Sequence, residues 1–372
     1  MQWDWEGLLG RPAVTPDKAL VAATVQGRCI LITGAGGSIG ARTALTVLEG
    51  HPETLLLLDS SEHSLYEIYR RISACTTDAP TRIIPIVGSI ADQSLLDFLF
   101  RQYRPDLVFH AAAYKHVPLM EENPFSAMAN NAVGTFRLVL AAMDSGVGAF
   151  LLVSTDKAVN PRNIMGASKR AAELVILSHS SSAVRMNAVR LGNVLGSSGS
   201  VVPLFQEQLE RGLPLTLTHP DARRYFLTSA EADSALLRAA SSSLSGRILL
   251  ADCAQPLRIL DLAYYMADEY GKKSGHHGST RPKIEFIGLR PGEKLEESPF
   301  SPTEQAEACS ASGMRVFTSP CPSASDVAAG MKRIEAAIRT FDLQELLAAT
   351  THLVTDYQPA HNSSDFLQTV VR

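Results

Sequence analysis

From about residue 28 onward, short apolar runs alternate with longer segments whose apolar residues recur at helical spacing. Residues 29–33, 54–59, 82–87, 107–111 and 150–154 are β-branched or leucine-rich on both parities, the pattern of strands with both faces covered. Between them, residues 41–49, 64–74, 93–102 and 131–145 gather their apolar residues on one helical face. This alternation predicts a parallel sheet wrapped by helices, with a further strand at 186–191. After Gly196 the pattern loosens. Proline, glycine and aromatic residues punctuate 201–228 and 282–299, as in loops and small elements that close over a pocket. Residues 301–325, rich in Ser, Ala, Pro and Thr, predict an irregular connection. Helical spacing returns over 326–355 as one or two packing helices, and Trp3, Trp5, Leu8 and Leu9 predict an ordered arm ahead of the first strand.

The first strand runs directly into Gly34-Ala35-Gly36-Gly37-Ser38-Ile39-Gly40, which opens the first helix. Gly34 permits a tight turn, Gly37 lets backbone approach a pyrophosphate, and Gly40 lets helix and strand pack closely. The helix start presents unsatisfied N–H groups and a positive dipole end to phosphates. Asp59, followed by Ser60, ends the second strand, where a carboxylate can hydrogen-bond a ribose 2′-hydroxyl. The ordered series of strand, glycines, helix, strand and acid predicts a dinucleotide site, with Ser38 and Ile39 inside it. Asp59 favours NAD over NADP, because a 2′-phosphate would meet a like charge. Ala111, Ala112 and Ala113, after the fourth strand, suit close approach of a cofactor or simply a tight sheet end. Ser89, with Ile90 beside it, either faces the adenine or begins a turn.

Ser154-Thr155-Asp156-Lys157 ends the fifth strand, and carboxyl ends of strands in an open parallel sheet are where ligands bind. Met165 and Lys169 follow at i and i+4 on the next helix, facing the same way. Thr155, Asp156 and Lys157 are expected beside the nicotinamide ring; a surface turn followed by an ordinary amphipathic helix is the plainer alternative.

At these residues the chain resembles the extended short-chain dehydrogenase/reductases, and among them the polysaccharide-biosynthesis nucleotide-sugar dehydratases akin to UDP-N-acetylglucosamine 4,6-dehydratases. The stretches that carry the resemblance are residues 8–12, 110–118, 154–159, 190–197, 224–226 and 289–294. It implies a doubly wound α/β fold with a parallel, Rossmann-like sheet and a smaller C-terminal substrate-binding region. The expected organisation is an arm (1–27), a dinucleotide-binding domain (28–200) to which 229–262 returns, a substrate region (201–228 and 263–325) and C-terminal helices (326–372). The implied reaction oxidises sugar C4, removes the C5 proton while the C6 hydroxyl leaves, and returns hydride to C6. Lys157 would be the C5 base and Asp156 the C6 acid, kept protonated by a dry pocket. Thr155 would bond the C4 oxygen, and Lys169 the nicotinamide ribose. Most of the wider superfamily carries Tyr where this chain has Met165, which cannot transfer a proton. The base for the C4 hydroxyl is therefore open among Thr155, Asp156 and a water.

Arg224, Arg290 and Lys294 offer cations in the looser half of the chain. The resemblance places Asn193, Arg224 and Arg290 on the nucleotide diphosphate, Glu293 on its ribose, and Lys115 and His116 at the sugar end; arginine suits phosphate through its forked donors. His276 and His277 lack further ligands at zinc-like spacing, so no metal site is expected.

Bulk properties narrow the picture. The 372 residues are 45% hydrophobic and 19% charged, an ordinary globular balance. A net charge of −4 and a pI near 6.2 leave no footprint for nucleic acid or an anionic membrane. Five scattered cysteines argue for free thiols in a reducing compartment. With no signal peptide or membrane span visible, a cytoplasmic location is expected, although long members of the family begin with membrane helices. A homo-oligomer is also expected. Two other functions stay open: a nucleotide-sugar epimerase, which shares the oxidation but loses no water, and a catalytically inactive dinucleotide sensor, which Met165 favours and Lys157 with Lys169 opposes.

Overall fold

The computed structural model describes residues 3–359 apart from 13, 76–80, 182, 252–254, 275–282 and 312–313. Strands β1 (Cys29–Thr33), β2 (Thr54–Asp59), β3 (Arg82–Val87), β4 (Leu107–His110), β5 (Ala149–Thr155) and β6 (Arg185–Leu191) are parallel in the order β3-β2-β1-β4-β5-β6. Strand Arg247–Ala251 extends the sheet in parallel beside β6. The order reverses between β1 and β4, and a ligand crevice forms at such a switch point.

Both faces of the sheet are dry, as the Val/Ile/Leu-rich strands require. Leu31, Leu56, Val108, Phe150 and Met186 bury one face under helices Gln93–Tyr103, Thr135–Ser145 and Ile164–His179. Ile30, Leu55, Phe109, Leu151 and Val189 bury the other under helices Ser38–Leu48, Glu62–Cys75 and Ser229–Ser241. A smaller cluster joins Trp3 of the arm to Phe205, Leu215, Leu217, Leu262 and Met266.

Three elements differ from the sequence expectation. Residues 301–325 are not an irregular link: strands Gln305–Ala311 and Met314–Thr318 form an antiparallel pair that adds to the main sheet beside Arg247–Ala251. This part of the expected substrate region thus belongs to the sheet; its Ser and Ala content hid a strand at an edge, where one side needs no apolar cover. Strand β3 is also an edge and is half-exposed, with Pro85 tolerated there. The helix expected over 131–145 begins as a π-turn, Ala129–Gly134, before becoming α-helical at Thr135. The last helical stretch is two helices, Ala324–Thr340 and Leu343–Leu353. His276 and His277 lie outside the described residues.

Candidate active site

The glycine turn is pressed between β4 and its own helix. Gly34 has φ +66°, and a Cβ there would lie 2.6 Å from the Ala112 nitrogen. At Gly40 a Cβ would fall 2.1 Å from the Gly34 carbonyl, so neither position accepts a side chain. A Cβ on Gly37 would meet only the Gly34 oxygen at 3.2 Å, which leaves the outer side of the turn open. Helix Ser38–Leu48 starts here with no side-chain cap, so its first N–H groups stay available to an anion. Asp59 is fixed by accepting from the Gly36 N–H and the Ser61 N–H, each at 2.8 Å. Ser60 is exposed, and Ile39 packs against the core. Ser89 Oγ accepts from the Ala91 N–H, as at the start of a turn, while the Ile90 side chain is buried against Gly134. Ala111, Ala112 and Ala113 are half-buried past the end of β4.

At the end of β5 the chain turns through a short 3-10 helix, Asp156–Ala158. This is no surface turn: Asp156 is 2% exposed. Its Oδ1 accepts from Thr155 Oγ1 at 2.9 Å and from Lys157 Nζ at 3.0 Å, and Lys157 Nζ also donates to Asn193 Oδ1 at 3.2 Å. The other oxygen, Oδ2, is buried without a hydrogen-bond partner among the described residues. The dry surroundings expected of Asp156 are therefore present, and its carboxyl is paired with the Lys157 side chain.

Helix Ile164–His179 lies almost wholly buried across this strand end, with Asn163 as its N-cap. Met165 packs into the core beside Ile164. Lys169, one turn on, is 5% exposed and makes no side-chain hydrogen bond among the described residues. Burial brings its pKa down to about 8, against the opposing pull of Glu173. His110, fully buried at the end of β4, lies between Thr33 Oγ1 at 2.7 Å and Thr135 Oγ1 at 2.8 Å. Burial, and then the Lys169 charge, push it well below the usual imidazole range, so it is neutral.

The residues expected to hold the substrate fall into two groups. Arg224 donates to Glu293 Oε1 at 3.0 Å, and that oxygen also accepts from Thr218 Oγ1 at 3.1 Å. Arg290 is exposed, with its backbone N–H on Glu293 Oε2. Gly292 docks this loop on the N-cap of helix Ile164–His179, where a Cβ would lie 2.7 Å from Asn163 Cβ and where Asn163 Nδ2 reaches the Gly292 carbonyl at 3.0 Å. Lys294 is thereby brought to the Val159 carbonyl, 2.7 Å away. On the other side, Lys115 Nζ donates to the Ser198 carbonyl at 2.7 Å, and the Ser198 N–H donates to Ser38 Oγ at 3.0 Å. His116 abuts Gly199. Burial lowers the pKa of Lys115, and burial followed by Lys115 lowers that of His116. Loop 196–200 thus links the glycine-turn helix to Lys115 and His116.

A family model described as polysaccharide biosynthesis protein matches residues 30–318. The chain belongs to that family. Within this polysaccharide-biosynthesis family it is 42% identical over 301 residues to the capsular polysaccharide biosynthesis protein CapD of Staphylococcus aureus, covering 80% of this chain and 49% of that one. The chain therefore spans about half the length of that relative. It is 32% identical over 276 residues to a UDP-N-acetylglucosamine 4,6-dehydratase (inverting) of Campylobacter jejuni, covering 72% of this chain and 76% of that one. Among solved structures, Pen from Bacillus thuringiensis superposes with a TM-score of 0.72 at 30% identity, over 80% of this chain and 89% of that one. The fold is that of the extended short-chain dehydrogenase/reductases.

Sequence reasoning missed two features of this family member's site. Asn131, fully buried in the π-turn, accepts from the Tyr114 N–H and donates to the Tyr114 carbonyl and to Ser168 Oγ, tying the β4 end to helix Ile164–His179. Its only sequence signal is a polar pair, Asn130-Asn131, in an apolar helical pattern. The second is a buried ionic cluster of Arg170, Glu173, Arg190 and Glu304 behind the strand end. Among the described residues there is no group of three metal-ligating side chains, and no helix is long and apolar enough to cross a membrane.

Proposed function

We propose that this chain is a nucleotide-sugar 4,6-dehydratase, acting on UDP-N-acetylglucosamine and holding NAD in preference to NADP. The observation that carries the reading is the pairing of buried Asp156 with half-buried Lys157 at the carboxyl end of β5, the same edge of the sheet at which β1 runs into the glycine turn. The turn fits a dinucleotide: Gly34 and Gly40 leave no room for side chains, the helix start is uncapped, and Asp59, held against the turn by the Gly36 N–H, would take the ribose. The chemistry that the dinucleotide supplies when bound is hydride exchange at sugar C4 and C6.

With Asp156 as carboxylate and Lys157 as amine, the proton count closes. The C4 hydroxyl proton passes through the Thr155 hydroxyl, 2.9 Å from Asp156 Oδ1, to the carboxylate. Lys157 takes the C5 proton, acidified by the adjacent C4 carbonyl. Asp156 gives up its new proton to the departing C6 hydroxyl, which leaves as water. Lys157 then returns a proton to C5. Met165 needs no part in this, because Thr155 and Asp156 do the work of an active-site phenol. Arg224, Arg290, Asn193 and Glu293 would hold the nucleotide diphosphate, and Lys115 with His116 the sugar.

Incubation with a panel of nucleotide sugars in deuterated water, read by mass and NMR, tests the reading. Loss of one water with deuterium at C5 is expected from UDP-N-acetylglucosamine. A product of unchanged mass would make the chain an epimerase and overturn it.

A further inference from the structure

We propose that Glu173 is a positioning residue: one buried carboxylate that sets the register between the strand end bearing Thr155, Asp156 and Lys157 and the helix face bearing Lys169. The inference rests on the dehydratase reading above. Glu173 has no exposed surface, and donors converge on both of its oxygens. Oε1 accepts from Ser154 Oγ at 2.6 Å and from Arg190 Nε at 2.8 Å; Oε2 accepts from Arg190 Nη2 at 2.8 Å and from Arg170 Nη1 at 3.0 Å. Two of these contacts lead to different strand ends, and the third stays on Glu173's own helix. Ser154 is the residue before Thr155 on β5. Arg190 is near the end of β6, which leads to Asn193, the acceptor for Lys157 Nζ. Lys169 is one helical turn from Glu173 itself.

A satisfied buried carboxylate of this kind resists displacement, because moving either strand or helix would strand a donor in a dry site. The cluster is anchored from behind as well: Arg190 makes paired bonds to Glu304 at 2.7 and 2.8 Å, and Arg170 reaches Ser319 Oγ at 2.8 Å. Burial acts most strongly against ionisation of Glu173, but Arg190, Arg170 and Ser154 together outweigh it and bring the pKa to about 2. The charge also reaches Lys169. The charged and titratable groups around that ammonium are Glu173 on its own helix, neutral His110 from β4, and the two arginines that keep Glu173 ionised.

Two variants separate positioning from plain structural support. Ser154→Ala removes one hydroxyl and leaves the ion cluster intact; kcat for water loss should fall about tenfold, with the nucleotide-sugar KM and dinucleotide Kd unchanged. Glu173→Gln keeps the shape, and Arg190 keeps Glu304; the alkaline limb of dinucleotide affinity should move acidward by about one pH unit, because Lys169 loses its anion. Wild-type kcat in Ser154→Ala, or an unmoved limb in Glu173→Gln, overturns the proposal. Should Glu173→Gln fail to fold, the kcat against KM split of Ser154→Ala decides alone. The dinucleotide titration needs no sugar, so it still tests Glu173 if the wild-type chain dehydrates nothing and the reaction assignment fails.

Discussion

Lys157 Nζ stands 3.0 Å from Asp156 Oδ1, while Asp156 Oδ2 is buried with no hydrogen-bond partner among the described residues. An unsatisfied buried carboxylate oxygen costs stability, and such groups persist where a ligand completes them. On the dehydratase reading, the open oxygen is left for a substrate hydroxyl, with Lys157 beside it.

Lys157→Ala should therefore abolish water loss, by about 10²- to 10⁴-fold in kcat, the usual worth of one general base. Dinucleotide affinity should be unchanged, since Lys157 touches Asp156 and Asn193 and not the glycine turn. Product mass spectrometry beside a dinucleotide titration checks both; dehydration at the wild-type rate would take the base role away from Lys157.

Lys169 links pH to both stability and binding. Its folded pKa of about 8 lies below the ordinary 10.5, chiefly through burial. Between those values the unfolded chain holds a proton that the folded chain has lost, so stability rises with pH across that window. Dinucleotide affinity should run the other way and weaken as pH climbs through about 8, where the ammonium discharges. Lys169→Met should flatten that affinity profile and raise stability at pH 7 by on the order of 3 kcal/mol, trading binding for a drier core. Fluorescence titration from neutral to alkaline pH and thermal melts measure the two effects.

Much of this was legible in the chain because two-sided apolar strands and a glycine turn are local signals. Strands β1, β2, β4, β5 and β6 were written in runs such as Leu55-Leu56-Leu57-Leu58, and the strand-end rule then located Thr155 to Lys157. Edge strands escape this logic. Residues 305–311 lack an apolar run, and what makes them a strand is the neighbour Met314–Thr318, not their own pattern. Long-range ionic partners escape it too: Glu173, Arg190 and Glu304 are far apart in the chain, and each alone reads as a solvated charge. Met165 and Lys169 share a helical spacing and both are buried, so spacing alone could not foretell that one joins the apolar core while the other is a buried amine without a side-chain hydrogen bond among the described residues.

Asp59 tests cofactor choice. Its carboxylate already accepts from the Gly36 and Ser61 N–H groups, so a 2′-phosphate would approach an anion whose position is fixed. Asp59→Asn keeps one acceptor for the turn and removes the charge. Discrimination against NADP should relax by about tenfold, the effect of roughly 1.4 kcal/mol of lost repulsion. Competition of NAD and NADP for the variant measures it; unchanged selectivity would remove Asp59 from the cofactor site.

Asp233 joins the glycine-turn helix to helix Ser229–Ser241. It accepts from Arg42 Nε at 2.9 Å, Thr46 Oγ1 at 3.2 Å and Thr43 Oγ1 at 3.3 Å, and is 2% exposed. Burial raises its carboxyl from 3.8 to about 6, more than these three donors can offset, since the Arg42 side chain is 48% exposed and well solvated. Between those pH values the folded chain holds a proton that the unfolded chain has released, so this group's contribution is present in acid and is lost as pH rises through about 6. The loss is on the order of 3 kcal/mol for a shift of this size. Asp233→Asn keeps an acceptor for the threonines without the buried charge. Its melting temperature should exceed that of the wild-type chain above pH 7, and the difference should shrink as pH falls toward 4. Melts across that range check the sign; a variant less stable than wild type at pH 8 would mean that the Arg42 ion pair outweighs the cost of burying the carboxylate.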